Sequence, residues 1–139
     1  MKKVLFICQG NVGRSQMAEG FYNQRQEGKL AISAGIDAVG EKYNYVPRAD
    51  IISVMQEKGI DISHHRIKQI NRDMLNDVDT IVVLCDARLI PNYVKESGIS
   101  IQFREVPDPF ESTIDGVRKI RDQIETIVLE ILRHDTTQS

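Results

Sequence analysis

The chain has 139 residues, with 18 Lys and Arg set against 20 Asp and Glu, so its net charge is −2. That balance gives no general electrostatic reason to bind nucleic acid or a membrane surface. Apolar residues make up 41% and charged residues 27%, an ordinary globular composition. The two cysteines, Cys8 and Cys85, are too few for a disulfide scaffold or an all-cysteine zinc site.

No segment reaches transmembrane length, and the apolar run Val4–Ile7 behind Met1-Lys2-Lys3 is too short for a secretory leader. The expectation is one domain spanning 1–139, in a reducing cytoplasm that keeps both thiols free.

In chain order, Val4-Leu5-Phe6-Ile7-Cys8 is a continuous apolar run, as in a strand buried on both faces. After it comes Gln9-Gly10-Asn11-Val12-Gly13, then a helical pattern from Arg14 in which Met17, Ala18, Phe21 and Arg25 lie near one side and Gly28 is the stop. Leu30-Ala31-Ile32-Ser33 reads as a second strand, and Ile36–Val46 as a stretch with little periodicity. Pro47 suits the first turn of a helix reaching about Lys58, closed by Gly59. A short helical turn is expected at Asn71–Leu75.

Asp79–Cys85 is the clearest buried strand. A helix is expected over Ala87–Ser97, with Pro91 disturbing its start, and a last strand over Gln102–Val106. Ser112 or Thr113 can cap a long final helix with Val117, Ile120, Ile124, Ile127, Val128, Ile131 and Leu132 at helical spacing. Its charges, including Arg118, Lys119, Arg121, Asp122 and Glu125, read as a solvated face. Residues 134–139 read as a frayed tail.

Strands alternating with helices predict an α/β fold, a parallel sheet covered on both faces. Ligands of such sheets bind at the carboxyl ends of the strands, where Cys8, Cys85 and Asp108 all fall. A strand–loop–helix junction supplies backbone N–H groups to an anion. Its positive field favours the thiolate of Cys8. Five residues between Cys8 and Arg14 suffice to wrap a tetrahedral oxyanion, and the Arg14 guanidinium adds a bidentate contact.

The sulfur would attack phosphorus in line, giving a phosphocysteine. Asp108, between Pro107 and Pro109, is the candidate acid for the leaving oxygen and then the base for water. Ser15 can donate a hydrogen bond to the thiolate. His64 and His65 lack the neighbours that would complete a metal site, so no metal or organic cofactor is expected.

These motifs resemble the low-molecular-weight protein tyrosine phosphatase family, which includes thioredoxin-coupled arsenate reductases. The resemblance rests on Val4–Cys8 with Gly10-Asn11 and Arg14-Ser15, on Ser33-Ala34-Gly35, on Gly59-Ile60-Asp61-Ile62-Ser63 with His65, and on Asp108-Pro109. It implies a three-layer sandwich with a four-stranded parallel sheet in the order 2-1-3-4. It also implies Cys8 as nucleophile, Arg14 as oxyanion clamp and Asp108 as general acid, with Asn11, Ser33 and His65 bracing the loop Gln9–Gly13.

Two activities share that family. Arg14–Gly20, Ser33–Ile36 and Val83–Ala87 resemble the reductase branch, in which Cys85 would attack a Cys8–arsenic adduct. That route ends on a third cysteine, which this chain does not have. Cys85 reads either as that redox partner or as a core residue ending a strand. Gly13 stands where phosphatases of the family often carry a protective cysteine.

Tyr43, Tyr45 and Phe110 are candidate walls of an aryl pocket. The expected activity is hydrolysis of phosphotyrosine in proteins, or of small aryl phosphates. The alternatives are arsenate reduction with a thiol reductant and a non-catalytic oxyanion-binding regulatory module.

Overall fold

The computed structural model describes residues 3–26, 28 and 30–138. Four strands, β1 (Val4–Cys8), β2 (Ala31–Gly35), β3 (Thr80–Val83) and β4 (Ser100–Phe103), form one parallel sheet in the order β2-β1-β3-β4. The helices are α1 (Arg14–Arg25), α2 (Ala49–Gln56), α3 (Asn92–Lys95) and α4 (Ile114–Gln138), with 3-10 turns at Glu41–Tyr43, Arg72–Leu75 and Ala87–Leu89.

Alternation along the central strands explains the layers. Val4, Phe6, Val82 and Leu84 join α1, α2 and α4 in one apolar core. Leu5, Ile7, Ile81 and Val83 join Ile70, Ile90 and Val94 in the other. Phe6, Leu5 and Ile7 are wholly buried, each contributing roughly 1.5–3 kcal/mol by burial. This is the three-layer sandwich that the sequence predicts.

The boundaries differ from the sequence reading in instructive places. Pro91 has no N–H and holds Ile90 extended, so the expected helix over Ala87–Ser97 splits into a 3-10 turn and the single turn α3. β4 lies at Ser100–Phe103 rather than Gln102–Val106, paired from Thr80↔Ser100 to Val83↔Phe103. It is an edge strand with exposed ends and no apolar run to mark it. α2 begins at Ala49, after Arg48 as its cap, and α1 ends at Arg25, before the left-handed Gly28.

Thr113, not Ser112, caps α4, its hydroxyl accepting from the Gly116 N–H at 3.1 Å. The backbone of α4 continues to Gln138, past the break expected at His134; Ser139 lies outside the described residues.

One face of α4 is not simply solvated. Arg121 is buried, donating to the Val54 carbonyl at 2.9 Å and to Glu57 at 2.6 Å. Arg118 reaches the same carboxylate at 2.8 Å, and the two arginines hold Glu57 down to about 2. This network stitches the last turn of α2 to α4. Among the described residues no helix is long and apolar enough to cross a membrane.

Candidate active site

β1 delivers Cys8 to the carboxyl edge of the sheet, where the chain turns through Gln9–Gly13 into α1. The turn is built from outside. Ile36 N–H donates to the Cys8 carbonyl (3.0 Å), Asp37 to Gln9 (2.8 Å), Val39 to Gly10 (3.2 Å) and Arg48 to Val12 (3.3 Å). In a trans peptide the N–H points opposite to the C=O. With those carbonyls tied outward, the amides of Gln9, Gly10, Asn11 and Gly13 point into the turn. The result is a ring of donors at the positive start of α1, a cradle for an oxyanion.

Asn11 holds the cradle's shape. It is wholly buried and left-handed, with φ of 57°. Asparagine tolerates that region better than most residues. Its side-chain amide donates to Ser15 Oγ (2.7 Å) and Ser33 Oγ (3.0 Å), and its Oδ1 accepts from Gln16 Nε2 (2.9 Å) and the Lys68 N–H (2.8 Å). Every polar position of the side chain is used, so the unusual backbone is over-determined.

Because Ser15 Oγ accepts from Asn11, its own hydrogen is free for Cys8 Sγ, 2.9 Å away. Ser33 passes its hydrogen to Glu19 at 2.7 Å.

His65 joins this network at one remove. The resemblance groups it with Asn11, and the structure inserts Gln16 between them. Gln16 Nε2 donates to three acceptors, the Asn11 carbonyl, Asn11 Oδ1 and the Arg66 carbonyl, which identifies the other terminal atom as the oxygen. That Oε1 can only accept, so His65 Nδ1, at 3.0 Å, carries a hydrogen. Burial pushes the imidazole below its ordinary range despite Glu19 at 3.4 Å. A neutral ring, not an imidazolium, therefore braces the loop near pH 7.

Gly35 supplies the floor. A Cβ there would meet the backbone of Asn11, Gln9 and Gly10 at 2.9 Å each, closer than side chains tolerate. Gln16, Glu19 and Gly35 fall inside stretches that carry the resemblance, but the sequence assigns them no role. Their roles depend on α1 and β2 lying side by side. Sequence carries no signal for their roles, because the burial of the first turn of α1 is seen only in the structure.

Arg14 is buried beside the sulfur's loop. Its Nη1 donates to the carbonyls of Val106 (2.9 Å) and Leu84 (3.3 Å), and its Nη2 lies 3.7 Å from Asp108. One guanidinium thus joins the cradle, the end of β3 and the segment beyond β4. Asp108 is over half exposed and accepts from the Phe110 N–H at 2.9 Å.

The cradle opens into a cavity of about 260 Å³. Cys8, Arg14 and Asp108 line it together with Val39, Lys42, Tyr43, Arg48, Pro109 and Phe110. The Lys42 ammonium lies 5.6 Å from the ring centres of both Tyr43 and Phe110, within cation–π range of each. Tyr45, the other tyrosine expected at the mouth, does not line this cavity. It borders a neighbouring hollow with Ile67 and Gln69 and stacks under Arg66. A side chain at Gly13 would press on Ile51 and Pro109 at 3.3 Å, so the wall there is already closed.

Cys85 lies two residues past β3, buried and free. Burial, then the charge on Cys8, push its thiol up to about 11, against an opposing pull from Arg14. It is therefore a neutral thiol near pH 7, close enough to Cys8 to feel its charge. Asp61 accepts from the Ser63 N–H at 2.9 Å, as expected of a turn residue. Among the described residues no group of three His, Cys, Asp or Glu could hold a metal ion.

The family model of the low molecular weight phosphotyrosine protein phosphatase matches residues 3–136. Arsenate reductase 1 of Staphylococcus epidermidis is 36% identical over 134 residues, 91% of this chain and 92% of that protein. A probable low molecular weight protein-tyrosine-phosphatase of Ralstonia solanacearum, EpsP, is 38% identical over 88 residues, 63% of this chain and 59% of that protein. The crystal structure of the low molecular weight protein tyrosine phosphatase of T. tengcongensis superposes with a TM-score of 0.81 at 25% identity, covering 96% of this chain and 99% of the other. On sequence and fold alike, the chain belongs to the low molecular weight phosphotyrosine protein phosphatase family.

Proposed function

We propose that the chain is a cysteine-dependent phosphatase of aryl phosphate monoesters, phosphotyrosine in proteins among them. The observation that carries this reading is the placing of Cys8 Sγ at the base of an amide cradle, with Arg14 and Asp108 on its wall. In the first step the Cys8 thiolate attacks phosphorus. The S–P bond forms, the P–O bond to the leaving group breaks, and Asp108 gives that oxygen its proton. Cradle amides and the Arg14 guanidinium hold the equatorial oxygens, where charge is spread in the transition state. In the second step water attacks phosphorus, Asp108 takes its proton, the S–P bond breaks and inorganic phosphate leaves.

The mouth suits an aromatic leaving group. Tyr43 and Phe110 offer ring faces, Val39 and Pro109 offer apolar edges, and Lys42 brings a cation to both rings. A cytoplasmic setting, whose reducing pool keeps thiols free, suits a reaction carried by Cys8.

The arsenate reductase reading is favoured by the nearness of Cys85 to Cys8 and by the similarity to arsenate reductases. Its chemistry requires Cys85 as a thiolate, and a thiol at about 11 is poorly prepared for that. The chain also has no third cysteine to receive a disulfide. A binding-only module has no need of a sulfur, a guanidinium and a carboxylate held around one cavity.

Acid quenching during turnover of para-nitrophenyl phosphate tests the intermediate. Intact-mass measurement is expected to find one phosphate on Cys8 in the wild type. A chain that turns over substrate with no such adduct at any quench time contradicts the mechanism.

A further inference from the structure

We propose that Arg48 is a positioning residue for the acid at Asp108, an inference that rests on the phosphatase reading. Asp108 sits on a segment that leaves the sheet after β4, and Arg14 secures that segment only on its near side, through the Val106 carbonyl. On the far side Arg48 Nη2 donates to the Pro109 carbonyl at 3.1 Å. The guanidinium is itself locked, because Nε and Nη2 grip Asp50 at 2.6 and 2.8 Å. The Arg48 backbone N–H meanwhile donates to Val12 in the cradle at 3.3 Å.

One residue at the cap of α2 therefore bonds both to the loop that holds the phosphoryl group and to the loop that carries the acid. Gly13 lies at the same junction, where a Cβ would meet Ile51 and Pro109 at 3.3 Å each. Two pins, Arg14 before Asp108 and Arg48 after it, fix the carboxyl's height above the cradle. Proton donation is sensitive to that height.

A cation that merely attracted substrate would act on every ester equally. A residue acting through Asp108 affects esters in proportion to their need for a proton. The test is a series of aryl phosphates from good to poor leaving groups, on Arg48→Met, Arg48→Lys, Asp108→Asn and the Arg48→Met/Asp108→Asn double variant. Arg48→Met is expected to lose about tenfold in kcat/KM for the poorest leaving group and less than about twofold for the best. Arg48→Lys, which keeps a donor, is expected to recover part of the loss. In the Asp108→Asn background the Arg48→Met effect on the poorest leaving group is expected to shrink below about twofold.

A uniform loss across the series, or full additivity in the double variant, overturns the proposal. An activity-independent arm separates its failure from that of the phosphatase reading. The Phe110 N–H is bonded to Asp108, and Arg48→Met is expected to speed its hydrogen exchange about tenfold while β3 amides stay unchanged. Unchanged Phe110 exchange overturns the pinning itself. Absent hydrolysis by the wild type overturns the phosphatase reading and, with it, the acid that Arg48 is proposed to position.

Discussion

Replacing Cys8 by serine is expected to abolish turnover and spare oxyanion binding. The cradle is held by hydrogen bonds to main-chain carbonyls and by Asn11, none of which uses the sulfur. Only the Ser15 contact at 2.9 Å changes partner, and a serine hydroxyl can still receive it. What is lost is the nucleophile, since a serine hydroxyl is far less acidic and far less nucleophilic than a cysteine thiol. The expected loss in kcat is at least about ten-thousandfold. Inorganic phosphate binding, measured by calorimetry, is expected to stay within about fivefold of wild type, because it uses amides and Arg14 rather than sulfur. Turnover within tenfold of wild type would remove Cys8 from the chemistry.

The Asp108→Asn variant is expected to discriminate among leaving groups. Asparagine keeps the acceptor for the Phe110 N–H and the shape of the segment, so the change is confined to the proton and the charge. Esters of poor leaving groups are expected to lose about a hundred- to a thousandfold in kcat/KM, which reports the step that forms the phosphocysteine, and para-nitrophenyl phosphate less than about tenfold. The pair between Asp108 and Arg14, 3.7 Å apart, is also removed, which acts equally on all substrates and does not alter the slope. Values of kcat/KM read against leaving-group acidity check this. An equal loss for all esters would assign Asp108 to binding rather than proton transfer.

How far such a site can be read from sequence depends on whether its parts are local. Cys8, Arg14 and Ser15 lie within one strand–loop–helix junction, and their spacing alone implies the cradle. Layering was legible for the same reason, since Val4–Cys8 and Ile81–Cys85 are continuous apolar runs. The sheet order came from family resemblance rather than from periodicity. The bracing network was only half visible. Ser33 and His65 came from the resemblance, whereas Gln16, Glu19 and Gly35 become functional only when α1 and β2 are laid together.

Arg48 illustrates the same limit. In sequence it follows a proline at a helix start, and its partners Val12 and Pro109 are 36 and 61 positions away. β4 was displaced because an exposed edge strand has no apolar run to mark it. Tyr43 and Tyr45 could not be told apart by composition. The turn at Glu41–Tyr43 sends one ring to the cavity and the next tyrosine to its neighbour.

The choice of oxyanion turns on Cys85. It is the feature that would carry the redox chemistry of the reductase branch, and its surroundings favour the unreactive thiol. The most direct measurement is a paired assay of para-nitrophenyl phosphate hydrolysis and arsenate reduction, driven by glutathione with glutaredoxin or by thioredoxin, on wild type and Cys85→Ser. Wild type and Cys85→Ser are expected to hydrolyse the ester at rates within about threefold of each other, because a buried thiol replaced by a hydroxyl alters packing only slightly. Neither is expected to reduce arsenate. Thiol-driven reduction of arsenate by the wild type that disappears in Cys85→Ser, while ester hydrolysis persists, would contradict the account and make Cys8 and Cys85 a redox pair.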